Sequence, residues 1–505
     1  MSTLTAVVAV LAVSLLTLGI GAFGLRLSRT TSDFYVASRA VGPGMNASAI
    51  SGEYLSAASF LGVAGLVLSR GVDMLWYPVG WTAGYLVLLL FVAAPLRRSR
   101  AYTIPDFAEL RVESHHARRV ASGLVVLIGV LYLVPQFQGA GLTLRTLTGA
   151  PTWVGAVVVA LVVLVNVVSG GMRSITLVQA VQYWLKLCAL LLPLAFLLVH
   201  THGHAPTGGA RLHAADWLEP MQGPYSLYLT YSLILATFLG TMGLPHVAVR
   251  FYTNRDGRAA RRTTVAVLAL LGVFYLLPPL YGVLGRLYVP GLIGSDRADT
   301  VVLALPGNAL GGLGGDLLTA ALGAGAFAAF LSTSSGLLLS IAGVVGQDVL
   351  GRWFEPVRAF RLAGVLGALA TLTLTLLSSG LAVAHAVELA FAVAASTFCP
   401  LLLLGIWWRG LTAAGAVAGM LLGGVLSAGA VGLTMLGVTP SGPLGAVLAQ
   451  PAMCTVPVAF ATMVAVSLAT ADRLPAHLGS TMVRLHAPEA LQLDRGSYRA
   501  KGARG

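Results

Sequence analysis

Apolar stretches of about twenty residues recur along this chain from Leu4 to the neighbourhood of Ala469, and that recurrence constrains the fold more than any motif. A helix needs ~20 predominantly apolar residues to cross ~30 Å of hydrocarbon. Inside hydrocarbon every peptide N–H and C=O must find its partner within the protein, which leaves helices as the economical solution. Composition agrees, because 57% of the residues are apolar, 10% are charged, and mean hydropathy is +0.85. The expectation is an all-α polytopic membrane protein with about 13 transmembrane helices, near 4–25, 43–69, 72–95, 118–147, 151–169, 174–200, 226–252, 263–289, 315–346, 359–379, 382–408, 411–436 and 452–471. The first stretch lacks a basic leading region and runs straight into Arg26 and Arg29, so it reads as a retained helix rather than a signal peptide.

The net charge of +13 is not a nucleic-acid footprint, because the basic residues sit in short clusters between apolar segments. Arg97, Arg98, Arg100, Arg111, Arg118 and Arg119 follow the third span, and Arg255, Arg258, Arg261 and Arg262 follow the seventh. Each cluster follows an odd-numbered span, so these fall on one side together with Arg26, Arg29, Arg39, Arg352, Arg358, Arg361, Arg484, Arg495, Arg499 and Lys501. That side is expected to be cytoplasmic, with the N-terminus outside and the C-terminus inside a cytoplasmic (plasma) membrane. The opposite loops carry Asp216, Glu219, Asp296 and Asp299. Cys188, Cys399 and Cys454 lie in apolar stretches and read as packing residues. The His200, His202, His204 run reads as a solvated loop, since no fourth metal ligand is fixed beside it.

Two spans look wrong as continuous helices. The second places Gly52, Ser48, Ser51 and the carboxylate of Glu53 near mid-bilayer, and the seventh reads Gly240-Thr241-Met242-Gly243-Leu244-Pro245-His246. Proline removes a backbone donor and glycine loosens the ladder, freeing peptide groups that hydrocarbon forbids unless they line a cavity. With the first helix and its linker (1–42) set apart, the interrupted spans open two successive five-helix halves, 43–200 and 226–408, separated by an outer loop at 201–225. Two further helices (409–471) and a cytoplasmic tail (472–505) follow. Matched interruptions of this kind point to an inverted-repeat transporter, the alternative being ordinary small-residue packing between helices.

The ninth span reads Ala329-Phe330-Leu331-Ser332-Thr333-Ser334-Ser335. Its hydroxyls either bond back to the preceding turn or face a broken helix and complete a cage of neutral oxygens for a cation. Glu53, Lys186 and Glu388 are ionisable residues deep in their spans. Lys186, one of two lysines in the chain, lies about 16 Å into its helix at ~1.5 Å per residue. Such an ammonium must be neutralised, paired or used, and Glu53 is the first candidate partner, with Glu388 or substrate as others.

The motifs Asp33-Phe34-Tyr35-Val36-Ala37, Ile50-Ser51-Gly52-Glu53-Tyr54-Leu55-Ser56-Ala57-Ala58-Ser59-Phe60-Leu61-Gly62 and Tyr102-Thr103-Ile104-Pro105-Asp106-Phe107 carry a resemblance. So do Tyr132-Leu133-Val134-Pro135-Gln136, Gly170-Gly171-Met172, Gly243-Leu244-Pro245-His246 with Arg250-Phe251-Tyr252-Thr253, and Leu389 to Ser396. In this order, from about Asp33 to Met420, the chain resembles the sodium:solute symporter family, within it the acetate and short-chain monocarboxylate permease branch. The resemblance implies a five-plus-five inverted-repeat core with one helix before it and two after. It also implies a sodium ion held by the backbone oxygens of Ala47, Ile50 and Ala329 and the hydroxyls of Ser332 and Thr333. Tyr54, Tyr77, Gln136, Thr241 and Phe391 become candidate pocket lining by position. Where sugar and proline members carry Thr-Asp, this chain has Val178-Gln179, and Lys186 stands two turns further along the same face.

The expected function is uptake of a small monocarboxylate such as acetate, coupled to Na⁺ as co-transported ion, by alternating access, with membrane lipid as surroundings and no resident cofactor. Proton coupling through Lys186, and sodium symport of another small solute such as proline, stand as alternatives. A membrane-embedded enzyme is the rival class, and no Ser/His/Asp or HExxH arrangement supports it.

Overall fold

The computed structural model describes residues 3–25, 41–203, 215–221, 223–377, 383–488, 491–494 and 497–500. The Asp33 to Ala37 motif, Arg26, Arg29, Arg39, His204 and Lys501 lie outside them. Among the described residues the chain is helical apart from a short antiparallel pair near its end, β1 (Leu491–Asp494) with β2 (Ser497–Ala500).

Among the described residues eleven helices are long and apolar enough to cross a membrane; three of them run to 41 residues or more, and two of those three reverse direction along the way. Ala58–Arg98 has 41 residues and Thr152–His200 has 49, roughly 60 Å or more of helix against ~30 Å of hydrocarbon. The first turns at Gly71 (φ +80°), and its ends show the reversal. Asn46 donates to Arg250 O (3.3 Å) and Arg97 to Arg255 O (2.6 Å), whereas between them Val67 O accepts from Trp217 (2.7 Å) and Leu68 O from Arg286 (3.1 Å). The chain therefore crosses and returns. The second folds back at Gly171, whose φ of 59° and ψ of −165° no helical residue adopts. Eleven helices and two reversals make the thirteen crossings that hydropathy predicts.

The helices that position the site are α1 (Thr3–Leu25), α2 (Pro43–Tyr54), α3 (Val63–Arg70), α4 (Trp76–Val87), α5 (Ala93–Arg98), α6 (Ile104–Val112), α7 (His115–Thr148) and α8 (Thr152–Gly203). They continue with α9 (Ala215–Leu218), α10 (Ser226–Gly243), α11 (Pro245–Phe251), α12 (Gly257–Tyr275), α13 (Leu277–Tyr288), α14 (Val301–Ala309), α15 (Gly312–Asp348), α16 (Pro356–Leu377) and α17 (Val383–Trp407). After them come α18 (Ala413–Met435), α19 (Pro443–Ala449), α20 (Ala452–Ala469) and α21 (Leu478–His486). α15 and α17 are enclosed by other helices nearly throughout, while α1 and α20 lie at the periphery. Side chains such as Leu11, Leu161, Phe196, Leu366 and Val425 form an exposed apolar belt that only lipid satisfies.

The arginine clusters meet at one end of the bundle, as their placement predicts. Arg118 reaches Asp106 (2.9 Å), Glu109 (2.6 Å) and Asp348 (2.6 Å), and Arg111 donates to Gly405 O (2.6 Å) and Trp408 O (2.8 Å). A capping box, Thr103 with Asp106, starts α6 at this end. Asp299 sits at the other end, where burial lifts its carboxyl to about 6 although Val383 N–H donates to it (3.0 Å). His200 and His202 fall in the last turn of α8. Among the described residues no group of three His, Cys, Asp or Glu side chains is placed to hold a metal.

Candidate cation and substrate sites

Both expected interruptions are present. α10 ends at Gly243, Leu244 is extended (φ −70°, ψ 119°), and Pro245, lacking an N–H, opens α11. α2 runs to Tyr54 and breaks at Leu55 (φ −73°, ψ 86°), before a π-helical turn at Ala58–Gly62 leads into α3. The second break lies beyond Gly52, so the carbonyls released are those of the last turn of α2 rather than of its middle.

That shift decides which oxygens face α15. Lys186 Nζ, from α8, donates to Gly52 O, to Leu55 O (2.7 Å) and to Ser332 Oγ (2.9 Å), filling all three of its donors. Ser332 Oγ donates onward to Ala329 O (3.1 Å), and Thr333 Oγ1 donates to Glu53 O (2.6 Å). Ser332, Thr333 and the Ala329 carbonyl are thus gathered at the broken end of α2. Ala47 and Ile50 lie in the regular run of α2 before the break; at the break itself Glu53 O accepts from Thr333, and Gly52 O and Leu55 O accept from Lys186.

Lys186 is paired with neither candidate carboxylate. Glu53 takes Arg250 of α11, whose Nε donates to its Oε2, while the same guanidinium reaches Thr176 Oγ1 (2.7 Å), Met172 Sδ (3.0 Å) and Gln179 Oε1. Both members of the pair are buried, at 2% and 1% exposure, so each needs the other: removing one partner of such a pair costs ~3–5 kcal/mol. The packing around it admits nothing larger, since a Cβ on Gly336 would fall 1.9 Å from Glu53 Oε1. Gln179, which replaces an acid of other members, links the two systems by donating to Ser332 O (2.7 Å).

Next to this cage lies an aromatic chamber. Tyr77, Trp81 and Tyr85 recur every fourth residue on one face of α4. Trp81 packs on Tyr77 (centroids 5.4 Å), Tyr275 (5.9 Å) and Phe391 (5.8 Å), and Tyr54 packs on Tyr85 (4.8 Å) and Phe391 (6.2 Å). Tyr132 closes the circle against Phe391 (5.8 Å) and His246 (5.3 Å). Glycines let the walls come this close, because a Cβ on Gly84 would sit 2.5 Å from Thr241 Cβ and one on Gly240 would sit 2.8 Å from Phe391 Cβ.

The five candidate pocket residues are all drawn into this neighbourhood, with different duties. Tyr54 Oη bonds Thr241 Oγ1 (2.7 Å) and Trp81 O (3.3 Å), so its hydroxyl is spent. Gln136 Oε1 accepts from Ala57 N (3.1 Å) and serves the break itself. Tyr77 turns its hydroxyl to Glu388, which also lies 3.3 Å from His385 Nδ1, near the start of α17 and away from Lys186. Phe391 stands at the centre. Sequence reasoning passed over Arg250, Trp81, Tyr85 and His246. The four-residue spacing on α4 was a readable signal; the reach of Arg250 across 197 positions to Glu53 was not.

A family model described as the sodium:solute symporter family matches residues 34–423. Relatives include an uncharacterised symporter of Bacillus subtilis, YwcA, 33% identical over 90% of this chain and 93% of its own. Another is a monocarboxylic acid transporter of Corynebacterium glutamicum, 32% identical over 79% of this chain and 78% of its own. Among solved structures, a Na⁺-coupled sialic acid symporter in a substrate-bound, outward-open state matches with a TM-score of 0.70 at 16% identity, over 91% of this chain and 98% of that one. Mhp1, a nucleobase-cation-symport-1 family transporter, matches at 0.54 and 14% identity, over 90% and 99%. The fold is therefore that of the five-plus-five inverted-repeat transporters, and the enzyme reading is set aside because the family and the relatives are transporters. The chain belongs to the sodium:solute symporter family.

Proposed function

We propose that this multi-pass protein takes up a short-chain monocarboxylate such as acetate together with Na⁺, alternating the access of a central site between the two sides of a cytoplasmic membrane. The observation that carries the cation half is the gathering of the Ser332 and Thr333 hydroxyls with the carbonyls of Gly52, Glu53 and Leu55 at an interrupted helix, Thr333 bonding Glu53 O directly and Ser332, Gly52 and Leu55 sharing the Lys186 ammonium. Ala329 contributes its carbonyl through Ser332. The monocarboxylate half rests on the Corynebacterium relative and on the small, ring-walled chamber beside the cage. The arginine-rich end faces the cytoplasm, which puts the N-terminus outside and α21 inside. The halves 43–200 and 226–408 are the repeats that rock about this site.

Radiolabelled acetate uptake into proteoliposomes tests the reading. Uptake requires an inward Na⁺ gradient and falls more than tenfold in Ser332→Ala; an unlabelled competition series including propionate, pyruvate and proline ranks the substrates. One observation favours a second reading, proton coupling: the ammonium of Lys186 already occupies the oxygens a sodium ion needs. Equal uptake with choline in place of sodium, driven by a pH step, decides for it.

A further inference from the structure

We propose that the substrate carboxylate is anchored by three neutral side chains, Trp81, Tyr85 and His246, and by neither buried cation. The inference deepens the monocarboxylate reading and rests on it.

The argument begins with what the cations are doing. Lys186 has three donors and spends them on Gly52 O, Leu55 O and Ser332 Oγ. Arg250 spends its guanidinium on Glu53, Gln179, Thr176 and Met172. Tyr54 is committed as well, because Thr241 sends its own proton to Thr237 O (2.7 Å), which obliges the Tyr54 hydroxyl to donate to Thr241 or to Trp81 O. None of these groups is free to receive an anion without first breaking a bond the protein has made.

Around the same chamber stand polar atoms in the opposite condition. Trp81 Nε1, Tyr85 Oη and both ring nitrogens of His246 are buried and have no hydrogen-bond partner among the described residues. The three residues are 1%, 0% and 2% exposed. A buried donor left unpaired costs about 1–3 kcal/mol, and nearly all such groups in native proteins are satisfied, so several around one chamber require an explanation. They are not scattered. Trp81 touches Phe391, Tyr85 touches Tyr54 which touches Phe391, and His246 touches Tyr132 which touches Phe391. Each is at most one ring away from the same phenylalanine.

An indole N–H, a phenol O–H and an imidazole N–H match a carboxylate, which accepts several hydrogen bonds and donates none. Phe391 and Tyr132 supply the apolar wall for the rest of the molecule, and their close spacing favours a tail of one or two carbons.

Binding of ¹⁴C-acetate to the full-length protein in detergent, with thermal unfolding of the ligand-free protein in parallel, tests this. Tyr85→Phe removes one donor and almost no volume, and Trp81→Phe removes one donor while keeping a smaller aromatic ring against Phe391. Each lowers acetate affinity about tenfold or more, the loss expected for a hydrogen bond to a charged group. The ratio of acetate to butyrate affinity stays unchanged, because the tail contacts are intact. The unfolding temperature of empty Tyr85→Phe stays level or rises, since it loses an unpaired buried oxygen; a merely structural hydroxyl would shift it down. His246→Leu is the third arm, with the same loss of affinity. Affinity within twofold of wild type in both Trp81→Phe and Tyr85→Phe overturns the anchor while leaving the monocarboxylate reading in place. Failure of the wild-type protein to bind acetate, propionate or pyruvate overturns that reading and this proposal together.

Discussion

The cage around Lys186 and the chamber around Phe391 are neighbours built on opposite principles. In the first, every charged group is matched: three oxygens for the ammonium, and a guanidinium shared among Glu53, Thr176, Met172 and Gln179. In the second, the packing of rings is close but the polar edges are left open. The contrast teaches where stability and function part company. The cage holds together two helices whose ladders have been cut, so its bonds are structural before they are anything else. The chamber leaves buried polar atoms of Trp81, Tyr85 and His246 without a partner among the described residues, and a protein tolerates that where a ligand supplies the missing partner.

Three substitutions probe the contrast, in falling order of effect. Arg250→Met strands the Glu53 carboxylate and is expected to lower stability by ~3–5 kcal/mol, read as a large fall in unfolding temperature and in folded yield. The double variant Glu53→Gln with Arg250→Met recovers much of the loss; if the single change is silent, the cage is not matched as described. Asp299→Asn examines an intermediate case, a buried carboxylate that accepts from the Val383 N–H at the end of the bundle away from the arginine clusters. Its carboxyl lies near 6 in the folded protein against an ordinary value of 3.8, so the folded state holds the proton more tightly. The associated stability is fully present below the unfolded value and is lost as pH rises through about 6, amounting to ~3 kcal/mol at most. Unfolding temperature measured from pH 4 to 7 therefore declines in the native chain, and Asp299→Asn flattens that decline. The smallest effect is that of Tyr54→Phe, which removes a satisfied hydroxyl and costs ~1 kcal/mol, opposite in sign to the change at Tyr85.

Legibility in the sequence followed the same division. The break at Leu244 could be read because proline announces a missing donor, and Gly171 because a Gly-Gly pair marks a place where the chain reverses. The break after α2 carries no proline, so only the small and polar residues around Gly52 hinted at it, and its position at Leu55 was not legible. The placing of Ser332 and Thr333 opposite that break was easier to foresee, because their helix is intact and their spacing fixes their face. The depth of Lys186 was plain, but its partners were not, since backbone oxygens leave no trace in composition. The interruption at Leu244 brings His246 beside Tyr132 in the interior, a contact that no spacing in the sequence announces.

The C-terminal segment adds a mechanical consideration. Leu485 and Met482 of α21 are buried at the arginine-rich end, Arg98 of α5 donates to His486 O (3.1 Å), and the His486 ring stacks 4.9 Å from Trp407 at the close of α17. Just before α21, the His477 N–H donates to Glu113 (2.9 Å), immediately after α6. One short peptide thus straps early helices to a late one at the arginine-rich end of the bundle, and any tilting of one group against the other must stretch, slide or release it. Turnover then carries a drag term set by a dozen residues that never meet the cargo.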